Sequence, residues 1–226
     1  MKIYAAKTSD SIILEKIIDM LDKDRQEKVL RFKNIEERNR SVCAGMLLRY
    51  AFLDCGYSKA QWSEVEIKYN QYGKPELKNY EKFCYSLSHS GKWVICVVDG
   101  QNVGTDIQKW QEWNINIAKR FFAHEEYERI IDKKDEDRDR MFFSIWSAKE
   151  SFVKYTGRGI GAGIDQCVTD VELSKIVSDD RILNIRLYED IPGYSLCVCS
   201  ERQEFPDKIC MFLIDETGNI VASDID

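Results

Sequence analysis

The stretch Trp146-Ser147-Ala148-Lys149-Glu150-Ser151-Phe152-Val153-Lys154 restricts the possible folds more than any other part of the chain. It lies within a helical pattern that opens near Glu136 and closes at Gly157. At 3.6 residues per turn, Trp146, Glu150 and Lys154 fall on one face, each four residues from the next. Phe142, Phe143, Trp146, Phe152 and Val153 place large apolar groups beside an acid and a base one turn apart. A carboxylate buried there without a partner would cost several kcal/mol, so Glu150 is expected to hold something. The rest of the chain is expected to build the other walls of that site.

The chain's 226 residues can bury a substantial core, as one larger domain or two small lobes. With 44% apolar and 32% charged residues, wholesale disorder is excluded. A formal net charge of −6 argues against general nucleic-acid binding, while leaving room for a local basic pocket. No apolar run approaches membrane-spanning length, and Met-Lys-Ile-Tyr-Ala-Ala-Lys does not read as a signal peptide. The eight cysteines are scattered without a C-x-x-C pair, which predicts reduced, mostly buried thiols in a cytoplasmic protein.

Lys2 to Ala6 alternates as a short strand. Ser9 or Asp10 could cap a helix carrying Ile12, Ile13, Ile17, Ile18 and Leu21 at helical spacing. Asp24 to Phe32 reads as a second helix with a basic stripe of Arg25, Lys28 and Arg31. Glu36 to Asp54 reads as a third, ended by Gly56. The period then changes. Strands are predicted at Val65 to Tyr69, Phe83 to Ser88, Trp93 to Val98 and Asn102 to Ile107, with Asp99-Gly100 as a hairpin turn. The second half repeats the order. Helices at Ile115 to Phe122, His124 to Asp132 and Glu136 to Tyr155 precede strands at 168–173, 182–187, 194–199 and 209–214. Helices followed by strands, twice, predict an α+β protein of two similar lobes, residues 1–100 and 101–226.

Asp106 ends a strand after Gly104-Thr105, and an acid there projects into a cleft or caps the next segment. With Glu150 it would make a carboxylate pair of the kind magnesium accepts alongside substrate phosphates and water. His89, in Ser88-His89-Ser90-Gly91, reads either as a turn histidine bonded to local backbone or as a donor to phosphate. Tyr72-Gly73-Lys74-Pro75 is a rigid turn whose lysine is either solvated or a phosphate contact. Residues 157–163 are glycine-rich but follow a helix and lack the Walker spacing, so they read as a loop near the site rather than a nucleotide cradle.

Five ordered segments resemble one family, the Sfp-type 4′-phosphopantetheinyl transferases. They are Tyr72 to Pro75, Ser86 to Gly91, Val103 to Ile107, Ala118 to Phe122 and Trp146 to Lys154. The resemblance implies a pseudo-dimer of two α+β lobes with the active site in the cleft between them. It implies transfer of the phosphopantetheine arm of coenzyme A to a serine of an apo carrier protein, releasing 3′,5′-ADP. By position, Asp106 and Glu150 would hold Mg²⁺, and His89 and Lys154 would neutralise phosphate charge. Ser88 and Lys74 would contact the nucleotide. Arg25, Lys28, Arg40 and Ser41 would surround its 3′-phosphate and adenine end. One position departs from the family pattern: Gln108 stands where a further acid is usual, which implies either a weaker metal ligand there or a residue that only holds a metal-bound water.

Phosphoryl-type transfer asks mainly for positioning and charge neutralisation, and Glu150 is the expected acceptor of the serine proton, directly or through a water. The carrier is expected to dock on Trp110 to Phe122 and the 157–163 loop. The resemblance implies a monomer, while the acidic balance and the lack of a membrane-length apolar run predict neither nucleic acid nor membrane as partner. The leading alternative is a catalytically weak coenzyme A or carrier-binding protein, for which Gln108 is the one favourable feature.

Overall fold

The computed structural model describes residues 1–9, 11–158, 164–170 and 172–223, and its contacts divide into two units. The first unit holds Met1–Asn70 and Pro75–Gln101, together with the chain from Pro206 onward. It opens with β1 (Lys2–Lys7), the short α1 (Leu14–Ile17) and a 3₁₀ turn (Ile18–Met20). Next come α2 (Lys23–Arg31), α3 (Ile35–Asp54), α4 (Lys59–Ser63), β2 (Ile67–Tyr69), β3 (Pro75–Leu77), β4 (Cys84–Ser90) and β5 (Trp93–Asp99). Asp22 caps α2 by accepting from the Arg25 amide, and Asn34 caps α3 by accepting from the amides of Glu36 and Glu37. Val42, Met46, Leu47 and Phe52 of α3 pack with Tyr4, Tyr85, Val94 and Cys96 in the unit's core. Phe52 also meets Tyr57, Trp62, Tyr80 and Phe83 ring to ring.

The second unit holds Gln71–Lys74 and Asn102–Phe205. Its elements are β6 (Gly104–Lys109), α5 (Ile115–Phe121), α6 (His124–Ile131), α7 (Asp135–Thr156), β7 (Cys167–Thr169), β8 (Lys175–Ser178), β9 (Ile182–Tyr188) and β10 (Tyr194–Ser200). Their sheet is antiparallel in the order β6-β10-β9-β8-β7. The α7 helix buries two faces. Ala148, Phe152 and Tyr155 pack with Cys167, Ile176, Leu183, Ile185 and Cys197. Phe142, Phe143 and Ile145 pack with Ala118, Phe122 and Ile130 of the α5–α6 region, where Trp113 and Trp146 stack on Phe142. Asp135, Glu136 and Asp137 in the first turn and Lys154 in the last suit the helix dipole, and Gly157 ends it at φ 67°. Each unit thus sets a long helix with a five-stranded sheet, as expected of an α+β protein with two similar lobes.

The last strands depart from the division drawn in the sequence. β11 (Cys210–Ile214) runs parallel to β1, and β12 (Ile220–Ala222) pairs with β11, giving the first unit's sheet the order β12-β11-β1-β5-β4. Phe212 and Ile214 join the α3 core, which supplies the burial these residues need. The Asp99-Gly100 hairpin also does not form: β5 pairs with β1 and β4, and β6 with β10. Its turn chemistry is genuine, since Asp99 Oδ1 accepts from the Gly100 amide at 2.6 Å, but the next strand enters another sheet. The helix expected over Ile12 to Leu21 is shorter, with α1 running into the 3₁₀ turn at Ile18–Met20, and the Ile13 amide just ahead of it donates to the Glu216 carbonyl at 2.9 Å. Ser9 accepts from the Ser11 amide rather than capping a helix, and Asp10 lies outside the described residues. The helix α4 and the strands β3, β8 and β12 have no counterpart in the sequence reading; each is five residues or fewer, too short for a clear period. All eight cysteines are free, and five are buried. No helix among the described residues is long and apolar enough to cross a membrane.

Gly104 fixes how closely α7 lies on β6. A Cβ built there would meet the Ser151 carbonyl oxygen at 2.0 Å and the Tyr155 nitrogen at 2.5 Å, both backbone atoms that cannot rotate away. Gly104→Ala is expected to destabilise the protein by about 3 kcal/mol or more, a lower melting temperature being the readout. An unchanged melting temperature would contradict this packing.

Candidate active site

Alternation along β6 puts Asp106 and Gln108 on one face, while α7 places Glu150 and Lys154 one turn apart. These four residues come together in the second unit. Asp106 is 2% exposed and Glu150 5%. Lys154 Nζ lies 2.7 Å from Asp106 Oδ1, and Gln108 Nε2 donates to Asp106 Oδ2 at 2.8 Å. No hydrogen bond reaches the Glu150 carboxylate among the described residues. Burial, and then the Asp106 charge, push the Glu150 carboxyl up to about 7, against the smaller opposing pull of Lys154. Lys154 thus acts on both carboxylates, pairing with Asp106 and opposing the upward shift of Glu150.

Two hard carboxylates, with an amide that presents its oxygen after a half-turn, fit a magnesium ion that keeps waters and substrate phosphate oxygens as its remaining ligands. Among the described residues no group of three or more acids, histidines or cysteines is placed to hold a metal.

Lys149, beside Glu150 in sequence, turns to another face and serves the fold. Its ammonium is 1% exposed and lies 2.9 Å from Glu126, which is fully buried. It also donates to the carbonyls of Ile164 and Cys167. Glu126 accepts from the amide and hydroxyl of Thr169, at 2.7 and 2.9 Å, and from the Ala123 amide at 2.8 Å. Sequence reasoning passed over this pair. The available signal was a lysine between Ala148 and Phe152 on a helix buried on two faces.

The first unit carries the remaining candidates. Arg25 Nη1 donates to the carbonyl and hydroxyl oxygens of Ser41, at 3.2 and 3.4 Å. Room for Arg25 on α3 comes from Gly45, where a Cβ would meet its Cδ at 2.5 Å. Burial, with Arg25 nearby, lowers the pKa of Lys28. Lys28 also lines a cavity of about 500 Å³ with Asp24, Glu27, Arg31, Phe32 and Tyr69. The stripe on α2 is therefore less basic than its lysine and arginines suggest, since Glu27 pairs with Arg31 at 3.0 Å. Arg40 pairs with Glu36 at 3.7 Å. Ser88 lies in β4 opposite Ile95, within the strand expected there, whereas His89, expected in the turn, continues β4 opposite Val94; Ser88 is buried and His89 exposed. The turn proper falls at Gly91-Lys92, with Gly91 at φ 53°. Lys74, in the second unit, lies against Asn102 and the end of α7. Of the expected carrier-docking surface, residues 159–163 lie outside the described residues.

The carboxylates of Asp106 and Glu150, the Lys154 ammonium and the Gln108 amide thus gather on one helix–strand pair of an α+β chain. Residues 102–205 match the 4′-phosphopantetheinyl transferase superfamily, and residues 9–101 match the N-terminal 4′-phosphopantetheinyl transferase model. The 4′-phosphopantetheinyl transferase Sfp of Bacillus subtilis (strain 168) is 31% identical over 207 residues, covering 89% of this chain and 92% of that protein. The 4′-phosphopantetheinyl transferase ffp of Bacillus subtilis is 29% identical, covering 93% and 97%. Its counterpart gsp of Aneurinibacillus migulanus is 28% identical, covering 80% and 76%. The chain belongs to the Sfp-type 4′-phosphopantetheinyl transferases.

Proposed function

We propose that this protein moves the 4′-phosphopantetheine arm of coenzyme A onto a serine of an apo carrier protein, with magnesium. The observation that carries the reading is the placement of Asp106, Glu150 and Lys154 around one point at the junction of β6 and α7. The serine oxygen forms a bond to the β-phosphorus of coenzyme A. The bond to the adjacent bridging oxygen breaks, 3′,5′-ADP leaves, and the serine proton passes to Glu150, directly or through a water. Glu150, buried beside Asp106 at the β6–α7 junction, is the carboxylate placed to take that proton. Asp106 and Glu150, with Gln108 as a weaker third group, would hold the magnesium ion, whose contribution when bound is to neutralise pyrophosphate charge. Lys154 and His89 would neutralise further phosphate charge, while Ser88, Arg25, Lys28, Arg40 and Ser41 would hold the nucleotide end.

Incubation with an apo carrier domain, coenzyme A and magnesium, followed by mass spectrometry of the carrier, tests the reading. The expected result is a carrier heavier by one phosphopantetheine arm. No addition to fatty-acid, polyketide or peptide-synthase carriers would remove the transferase reading and leave a binding protein.

Gln108 gives a sharper test of the metal site. Replacing it by glutamate removes a hydrogen bond to Asp106 and adds a third carboxylate. Gln108→Glu is expected to lower the magnesium concentration giving half-maximal rate by about tenfold, since one further charged oxygen ligand raises affinity. An unchanged magnesium requirement would place residue 108 outside the metal's reach.

A further inference from the structure

The family resemblance gives Lys74 to the nucleotide, but its surroundings point to another task. The turn Gln71–Lys74 groups with the second unit, although the chain on either side groups with the first. Lys74 Nζ lies 2.6 Å from Asn102 Oδ1 and 3.0 Å from the Tyr155 carbonyl oxygen, with the Val103 carbonyl at 3.4 Å. Asn102 Nδ2 donates to the same Tyr155 carbonyl at 2.6 Å. Tyr155 is the penultimate residue of α7, where carbonyls lack an intrahelical partner and the helix dipole favours a positive charge. Lys74 and Asn102 therefore cap the C-terminus of α7 and tie it to the start of β6.

The place they tie is the one that matters for chemistry. Gly104, where backbone meets backbone most closely, follows Asn102 by two residues, and Asp106 follows Asn102 by four. Lys154 immediately precedes Tyr155. The 2.7 Å bond from Lys154 to Asp106 spans α7 and β6, so any slip of one element along the other appears in that bond. A lysine kept for a phosphate has N–H donors to give; this one is already surrounded by three protein acceptors.

We propose that Lys74 is a positioning residue: with Asn102 it clamps the end of α7 to the start of β6 and so sets the Asp106–Lys154 pair, rather than contacting the nucleotide. The catalytic consequence rests on the transferase reading; the clamp itself does not. The test compares Lys74→Met, Lys74→Arg and Asn102→Ala with the unaltered protein. Amide hydrogen exchange over residues 153–157 is expected to quicken about tenfold in Lys74→Met and Asn102→Ala, as loss of about one net hydrogen bond from a helix end implies. Lys74→Arg, which keeps charge and donors, should recover part of the protection.

In the transfer assay, Lys74→Met and Asn102→Ala are expected to lower kcat by about a hundredfold, the scale of an ångström's misplacement at a reacting centre. The KM for coenzyme A and the Kd for 3′,5′-ADP should stay unchanged. In a Lys154→Ala background, Lys74→Met should add little further loss. A raised KM and Kd with kcat and exchange unchanged would make Lys74 a nucleotide contact and overturn the proposal. So would full additivity with Lys154→Ala. If the unaltered protein transfers nothing, the transferase reading fails while hydrogen exchange still decides the clamp.

Discussion

Glu150→Gln is expected to lower transfer by about a thousandfold while leaving the fold intact, because loss of a positioned proton acceptor costs about 10²–10⁴ in rate. The same substitution should change how stability depends on pH. The Glu150 carboxyl is pushed up to about 7 by burial and by Asp106. Below about pH 4.5, the ordinary glutamate value, the group is protonated whether the chain is folded or unfolded, and the folded state carries no penalty. Between there and pH 7 the unfolded chain ionises first. Above pH 7 the folded protein holds a charge it disfavours, at a cost on the order of 3 kcal/mol. Stability without divalent cations should therefore fall as pH rises from 4.5 to 7, and Glu150→Gln should remove that part of the slope. Urea unfolding at pH 5 and pH 8 in chelator measures the difference. Magnesium added at pH 8 should stabilise the unaltered protein and have less effect on Glu150→Gln. A variant with an undiminished slope would show that Glu150 is not the strained carboxylate.

The second large effect belongs to stability. Lys149→Met strands the fully buried Glu126, and Glu126→Gln strands the buried Lys149 ammonium. Breaking a buried pair from one side costs about 3–5 kcal/mol, because the remaining charge has lost its counter-ion in a poorly hydrated place. In a chain of this size that corresponds to a melting temperature lower by about 10 °C. The double variant Lys149→Met with Glu126→Gln should lose less than the sum of the single losses, since no full charge is left buried. Strict additivity would mean the two residues do not act as a pair. The expected loss is large because the pair also anchors other chain segments: Lys149 holds the carbonyls of Ile164 and Cys167, and Glu126 holds the Thr169 amide. Transfer by either variant at low temperature, where it remains folded, should change far less than in Glu150→Gln.

Residues 149 and 150 mark how far the sequence could be read. Glu150 stood out because it sits among apolar residues one turn from both Trp146 and Lys154, and it is buried beside Asp106. Lys149, equally charged and more deeply buried, did not, because its partner Glu126 is 23 positions away on another helix. Lys74 is similar: a turn signal announced the lysine, but nothing local announced the helix end it caps.

The sequence by itself determined the long elements and the polar residues among them. Helical periodicity and caps gave α2, α3 and α7 to within a residue or two, since those signals act over a single turn. Tertiary structure alone decided where the strands went and what the charges met. β11 crosses back to pair with β1 because Phe212 and Ile214 find their burial against α3. β6 leaves β5 for β10, which brings Asp106 beneath α7. Lys154 meets Asp106, and Lys149 meets Glu126, through contacts 48 and 23 residues apart in the chain. Strand pairing and burial of charge depend on such distant partners, and no local window of sequence contains them.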